Sequence, residues 1–214
     1  MNYYTSIYFH IQNKNIQKYV HITTPEVYGD TNNQWITENN YFSPTTPYAV
    51  SRAACDMHLE SFRKAYNFPV VYTRAANVFG PGQQLYRIVP RTILSCLSET
   101  KLDLHGNGVS ERSFIYIKDA IKATINICLK ADPGNSYHIS TNDSISIKDL
   151  VKKICNTLSI DFEKIINNTK ERLGKDQSYF LDSEKIRKEF NWEEEYTLDQ
   201  GIEASIKWVT ENYE

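Results

Sequence analysis

A chain of 214 residues with 41% hydrophobic content is long enough to bury one substantial core and a small appended subdomain. Its 24 basic and 26 acidic residues are interspersed and leave a formal charge of -2, which gives no electrostatic basis for a nucleic-acid or membrane-surface partner. No apolar run approaches the ~18 residues that span a bilayer, and residues 1–10 lack a basic leader with a cleavable apolar stretch, so a cytoplasmic location is expected.

In chain order, the apolar run at residues 19–23 reads as a short strand. Thr45-Thr46-Pro47 then opens a helix: proline suits the first helical position, a threonine before it can cap, and apolar residues recur from Ala49 to Phe62 until the pattern fades near Tyr66-Asn67. A buried strand is expected at 69–74, a loop at 77–84 punctuated by Gly80, Pro81 and Gly82, and a helix at 87–99. Strands at 102–105 and 113–117 flank a glycine turn at 106–108, and Lys118-Asp119 opens a helix to about residue 131. The last third continues with strands at 136–140 and 179–181 and helices at 146–158, 183–190 and 198–212; Asp149 and Asp182 suit caps or first turns. Alternating strands and helices indicate an α/β fold with a parallel sheet.

Cys55, Cys96, Cys128 and Cys155 lie far apart within predicted helices and read as buried free thiols. The five histidines show no ligand spacing, so no metal is implied.

Tyr48 and Arg52 carry the most chemistry. At i,i+4 they share one helix face, and a phenol that titrates near 10 in water becomes a base near neutrality only beside a permanent cation. Upstream, the strand at 19–23 runs into Thr24 and Glu26, and open α/β sheets place ligands at the carboxyl ends of their strands. A chain with 15 tyrosines also offers many chances for such a pair to arise without function. No strand runs into Gly-x-Gly-x-x-Gly with an acidic residue about twenty positions on.

From about Lys18 to Glu214 these residues carry a resemblance. His21-Ile-Thr-Thr-Pro-Glu-Val-Tyr-Gly-Asp30, Pro47-Tyr-Ala-Val-Ser-Arg-Ala-Ala54, Asn77-Val-Phe-Gly-Pro81, Leu104-His-Gly-Asn-Gly108, Arg112-Ser-Phe-Ile-Tyr-Ile-Lys-Asp-Ala120 and Tyr137-His-Ile-Ser140 occur in order, followed by Arg172-Leu-Gly-Lys-Asp176. The chain resembles the carboxy-terminal two-thirds of extended short-chain dehydrogenases/reductases of the NAD-dependent epimerase/dehydratase family, most closely the dTDP-glucose 4,6-dehydratase type. The resemblance implies a partial Rossmann-like parallel sheet with a small α/β substrate-binding subdomain. Residues 18–78 and 112–131 would form the Rossmann-derived part, and 79–111 and 132–214 most of the substrate-binding part.

It further implies oxidation at C4 of a nucleotide sugar by NAD, Tyr48 taking the C4 hydroxyl proton and Thr24 bonding that hydroxyl. Glu26 would act as base at C5 during water loss from C6, before C6 is reduced. Tyr48 and Arg52 would contact the cofactor; Asn77, Arg87, Arg112 and Arg172 would hold the nucleoside diphosphate. Two positions depart from the pattern. Pro25 stands where the family's glucose dehydratases carry a proton-donating aspartate, and Arg52 replaces the usual lysine. With no glycine-rich turn, the isolated chain is expected to bind NAD poorly and to lack turnover. Its expected partners are a nucleotide sugar and either a second copy in a homodimer or a chain supplying the missing N-terminal half. An epimerase or decarboxylase of the same family, or a non-catalytic remnant that binds a nucleotide sugar or a partner chain, are the alternatives.

Overall fold

A computed structural model describes residues 16–39, 41–170 and 178–213. Arg172, Asp176 and the aromatic-rich stretch before residue 16 lie outside the described residues.

Three parallel strands form the principal sheet in the order β1 (Tyr19–Ile22), β3 (Val70–Ala75), β8 (Ser136–Ile139). Because β8 belongs to this sheet, one strand of the 132–214 segment sits with the Rossmann-like part. Helix α1 (Pro47–Tyr66) packs on one face, where Leu59 meets Val70 and Tyr72; α3 (Ile117–Lys130) covers the other, where Ile127 meets Val71, Tyr137 and Ile139. Such double coverage is why β3, Val-Val-Tyr-Thr-Arg-Ala, is buried over five consecutive residues instead of alternating.

The bounds of α1 follow from its ends. Thr46 Oγ1 accepts from the Ala49 N–H at 3.1 Å, Pro47 occupies the first turn, and Asn67 closes the helix in the left-handed conformation with φ 55°. Asn77–Phe79, expected as loop, instead forms β4 and pairs in parallel with β7 (Phe114–Tyr116); three residues are too few to show a period before the Gly80–Gly82 breakers. Beyond this pair, α2 (Ile88–Leu97), α4 (Ile147–Thr157) and α7 (Leu198–Asn212) enclose a second core of Phe79, Ile93, Ile154 and Ile202. Gly201 allows that packing, since a Cβ there would stand 2.5 Å from the Phe79 ring.

Shorter pairings complete the fold: β2 (Trp35–Ile36) with β11 (Phe180–Leu181), β5 (Leu102–His105) with β10 (Ile166–Thr169), and antiparallel β6 (Glu111–Arg112) with β9 (Ile145–Ser146). A one-turn α5 (Phe162–Ile165) precedes β10, and α6 (Glu184–Phe190) follows β11. The thiols differ from expectation. Cys96 and Cys155 are buried free thiols with their sulfurs 3.8 Å apart, and burial pushes Cys96 up to about 12, but Cys55 is only half-buried and Cys128 is exposed because its side of α3 turns to solvent.

A polar network lies between α1 and the principal sheet. Asp56, buried on α1, bonds Arg74 of β3 at 2.5 Å and lies 3.1 Å from His21 Nε2 of β1; the Arg74 guanidinium also donates to Ser136 of β8 and covers the Tyr28 ring at 5.2 Å. Next along, His138 Nδ1 donates to the Asp182 carbonyl at 3.2 Å, which leaves Nε2 to accept from Tyr28 Oη at 2.9 Å. Burial, then the Arg74 charge, holds His138 down at about 3, and burial pushes Tyr28 up to about 12.

A histidine kept neutral in the folded state but protonated near 6.5 when unfolded lowers stability as the pH falls through the unfolded value. His138 alone should therefore cost about 2–3 kcal/mol between about pH 7 and pH 4.5. Denaturant melts across that range should show the loss, and His138→Gln should flatten it; equal pH slopes in both proteins would contradict this assignment.

Candidate active site

β1 ends at Ile22, and the chain turns at once into a 3-10 turn, Pro25–Tyr28. Thr24 caps it: the buried Oγ1 accepts from the Glu26 N–H at 3.3 Å, so the hydroxyl proton remains available as a donor. Pro25 fills the first position of the turn, where its fixed φ fits and its missing N–H costs nothing. The turn is released by Gly29 at φ 71°, where a Cβ would meet the Ser43 carbonyl oxygen at 2.3 Å.

Thr24 and Glu26 face a cleft of about 960 Å³. Tyr48 lines it from the first turn of α1 and is 55% exposed, so its phenol is accessible. Asn77 enters from β4, Arg87 from the cap of α2, and Arg112 from β6. Six of the eight sequence-predicted residues thus converge on one cavity from five separate segments. Arg52 does not line it; its guanidinium donates to the Ile22 carbonyl at 2.5 Å, tying α1 to the end of β1. Arg172 lies outside the described residues.

On the cationic side, Arg112 is 6% exposed, donates through Nη1 to the Glu111 carbonyl at 2.6 Å, and lies 4.2 Å above the Tyr179 ring. Asn77 Nδ2 donates to the Ser113 carbonyl at 3.2 Å, and Tyr179 Oη donates to Asn77 Oδ1 at 3.4 Å. Arg87 is exposed and lies 5.6 Å from the Tyr86 ring. Tyr179, Gln83, Arg91, Asp103 and His105 also line the cleft and were missed in the sequence. Tyr179 follows directly on the Arg172–Asp176 motif, which is the one signal that pointed to it. Tyr116, Tyr137 and Trp192 are core residues.

Among the described residues no His/Cys/Asp/Glu group could hold a metal ion, and no helix is long and apolar enough to cross a membrane.

Phenol, carboxylate and arginines thus gather beyond the ends of parallel strands, where open α/β sheets take their ligands. The chain belongs to the GDP-mannose 4,6 dehydratase family, whose model matches residues 7–205 and so begins before Lys18, where the sequence resemblance started. It is similar to the dTDP-D-glucose 4,6-dehydratase of Mus musculus, at 31% identity over 203 residues that cover 92% of this chain and 57% of that protein. A trifunctional UDP-glucose 4,6-dehydratase of Arabidopsis thaliana is 33% identical over 202 residues, 93% of this chain and 30% of that protein. The chain therefore spans between about a third and three-fifths of the curated relatives it matches. Among solved structures, a Bacillus anthracis dTDP-glucose 4,6-dehydratase in complex with NAD superposes with a TM-score of 0.91 at 30% identity, covering 98% of this chain and 66% of that one.

The geometry separates exposed from anchored members of the cleft. Tyr48→Phe and Arg87→Ala should change unfolding free energy by no more than about 0.5 kcal/mol, whereas Arg112→Ala, which strips the Tyr179 face and the Glu111 carbonyl of a buried partner, should cost about 1–3 kcal/mol. Equal melting behaviour for all three would contradict the assignment of Arg112 as a buried anchor.

Proposed function

We propose that this chain provides the substrate cleft and the acid–base groups of a nucleotide-sugar 4,6-dehydratase. What carries the reading is the convergence of Thr24, Glu26, Tyr48, Asn77, Arg87 and Arg112 on one cavity beyond β1 and β4. The two ends of that cavity suit the two ends of such a substrate. Guanidinium groups recognise phosphate through their planar forks, which supports Arg112 and Arg87 on the diphosphate, with Asn77 as a neutral donor and Arg172 as a further cation. Thr24, Glu26 and Tyr48 then address the sugar ring.

In the proposed reaction Tyr48 takes the C4 hydroxyl proton while the Thr24 hydroxyl donates to the same oxygen. Once C4 is a ketone the neighbouring C5 proton is acidic, and the Glu26 carboxylate takes it as the C6 hydroxyl leaves. Pro25 has no proton to give, so the proton that turns the leaving group into water comes from another group on the cleft. Bound NAD would supply reversible hydride storage. The residues fit its nicotinamide end: Ile22, an apolar side chain 64% exposed at the carboxyl end of β1, lines the cleft together with Tyr48, and its carbonyl accepts from the Arg52 guanidinium. The division of the chain into a cofactor-facing part, residues 18–78 and 112–131, and a mainly substrate-facing part, 79–111 and 132–214, belongs to this proposal. So does assembly with a second copy or with a chain bearing a glycine-rich half. Pro25 favours one second reading, a chain that binds nucleotide sugars without dehydrating them.

Calorimetric titration with dTDP-glucose, UDP-glucose and GDP-mannose, coupled to product analysis with NAD, tests both readings. At least one sugar nucleotide should bind, Arg112→Ala should weaken it about tenfold or more, and Tyr48→Phe should leave binding intact while removing any 4-keto-6-deoxy product. Product formed once a chain bearing a glycine-rich half is added supports the first reading, and binding without product even then supports the second; no binding of any of the three contradicts both.

A further inference from the structure

Tyr179, just before β11, touches both neighbouring members of the diphosphate side of the cleft. Its ring lies 4.2 Å from the Arg112 guanidinium carbon, and its hydroxyl donates to Asn77 Oδ1 at 3.4 Å. Two bonds agree on the orientation of the Asn77 amide, because Oδ1 accepts from Tyr179 and Nδ2 donates to the Ser113 carbonyl at 3.2 Å. The guanidinium is likewise held from two directions, edge-on by the Glu111 carbonyl and face-on by the Tyr179 ring.

We propose that Tyr179 is a positioning residue, one that fixes Arg112 and Asn77 as a single preorganised surface for the diphosphate of the substrate. The inference rests on reading the cleft as a nucleotide-sugar site. A free arginine has many rotamers, and ordering it at the moment of binding subtracts from affinity; an arginine already flattened on an aromatic face meets the phosphate with that cost removed. The phenolic hydroxyl adds a second function, since an Asn77 amide rotated by half a turn would present oxygen, not N–H, to Ser113 and to an anion. The three residues come from β4, β6 and the approach to β11, and Tyr179 contacts the other two.

The test is titration of the full chain with UDP, dTDP and GDP, using whichever binds tightest, against Tyr179→Phe, Tyr179→Leu, Arg112→Lys and the Leu/Lys double variant. Tyr179→Leu should weaken binding about tenfold, and Tyr179→Phe, which keeps the stacked ring, should weaken it no more than about threefold. Coupling distinguishes positioning from general damage. A lysine cannot stack as a plane, so in the Arg112→Lys background Tyr179→Leu should cost less than twofold, whereas a structural defect would cost the same in both backgrounds. Wild-type affinity in Tyr179→Leu, or an equal loss with and without Arg112, overturns the positioning role; if Tyr179→Leu does not fold, a Tyr179→Phe variant as weak as Arg112→Lys does so too. Failure of all three nucleotides to bind the wild-type chain removes the underlying reading of the cleft, and this inference with it.

Discussion

The ion pair between Asp56 of α1 and Arg74 of β3 is the constraint on which the site depends. Both groups are 3% exposed, and a charge so placed is tolerated only when it is paired. The pair therefore fixes α1 against the sheet in one register and at one height, with His21 and Ser136 adding contacts from the strands on either side. Since Asp56 lies two turns beyond Tyr48 on the same helix, this anchor also sets where the phenol stands relative to the ends of β1 and β4. Arg52, bonded to the last carbonyl of β1, fixes the helix a second time and closer to the cleft. Its guanidinium thus holds the scaffold beside Tyr48.

The rest of the cleft is built from strand ends and short turns, each stabilised locally. Thr24 caps its own turn and still has a proton to donate; Pro25 satisfies the geometry of that turn and has no proton to give. On the far side the arginines are divided by environment. Arg112 is buried and restrained on two sides, whereas Arg87 is exposed at a helix start and free to follow a ligand. A diphosphate held by one fixed and one mobile guanidinium would bind with register set by the first.

How much of this was legible depended on whether the determining interactions are local. The limits of α1 could be read because Thr46, Pro47 and Asn67 each do their work within one turn of chain. The positions of Thr24 and Glu26 followed from strand-end logic, and the ordered motifs pointed to the family. β4 was read as loop because two glycines and a proline dominate its neighbourhood, and the two-residue strands are too short for any period. Nothing in the sequence joins Tyr28 to His138, 110 residues apart, or Tyr179 to Asn77, 102 apart. Such contacts are products of the tertiary fold. Cys128 shows the complementary limit: apolar neighbours placed it in a helix correctly, but one residue of rotation decides between core and solvent.

The claim that these scattered residues form one ligand cleft is most directly tested by amide hydrogen exchange on the protein with and without a saturating sugar nucleotide. New protection should appear together around Thr24–Glu26, at the start of α2 near Arg87, and around Arg112 and Tyr179, with α3 unchanged. Protection confined to the separate cavity between Phe79 and Tyr196, or spread evenly over the chain, would contradict the account.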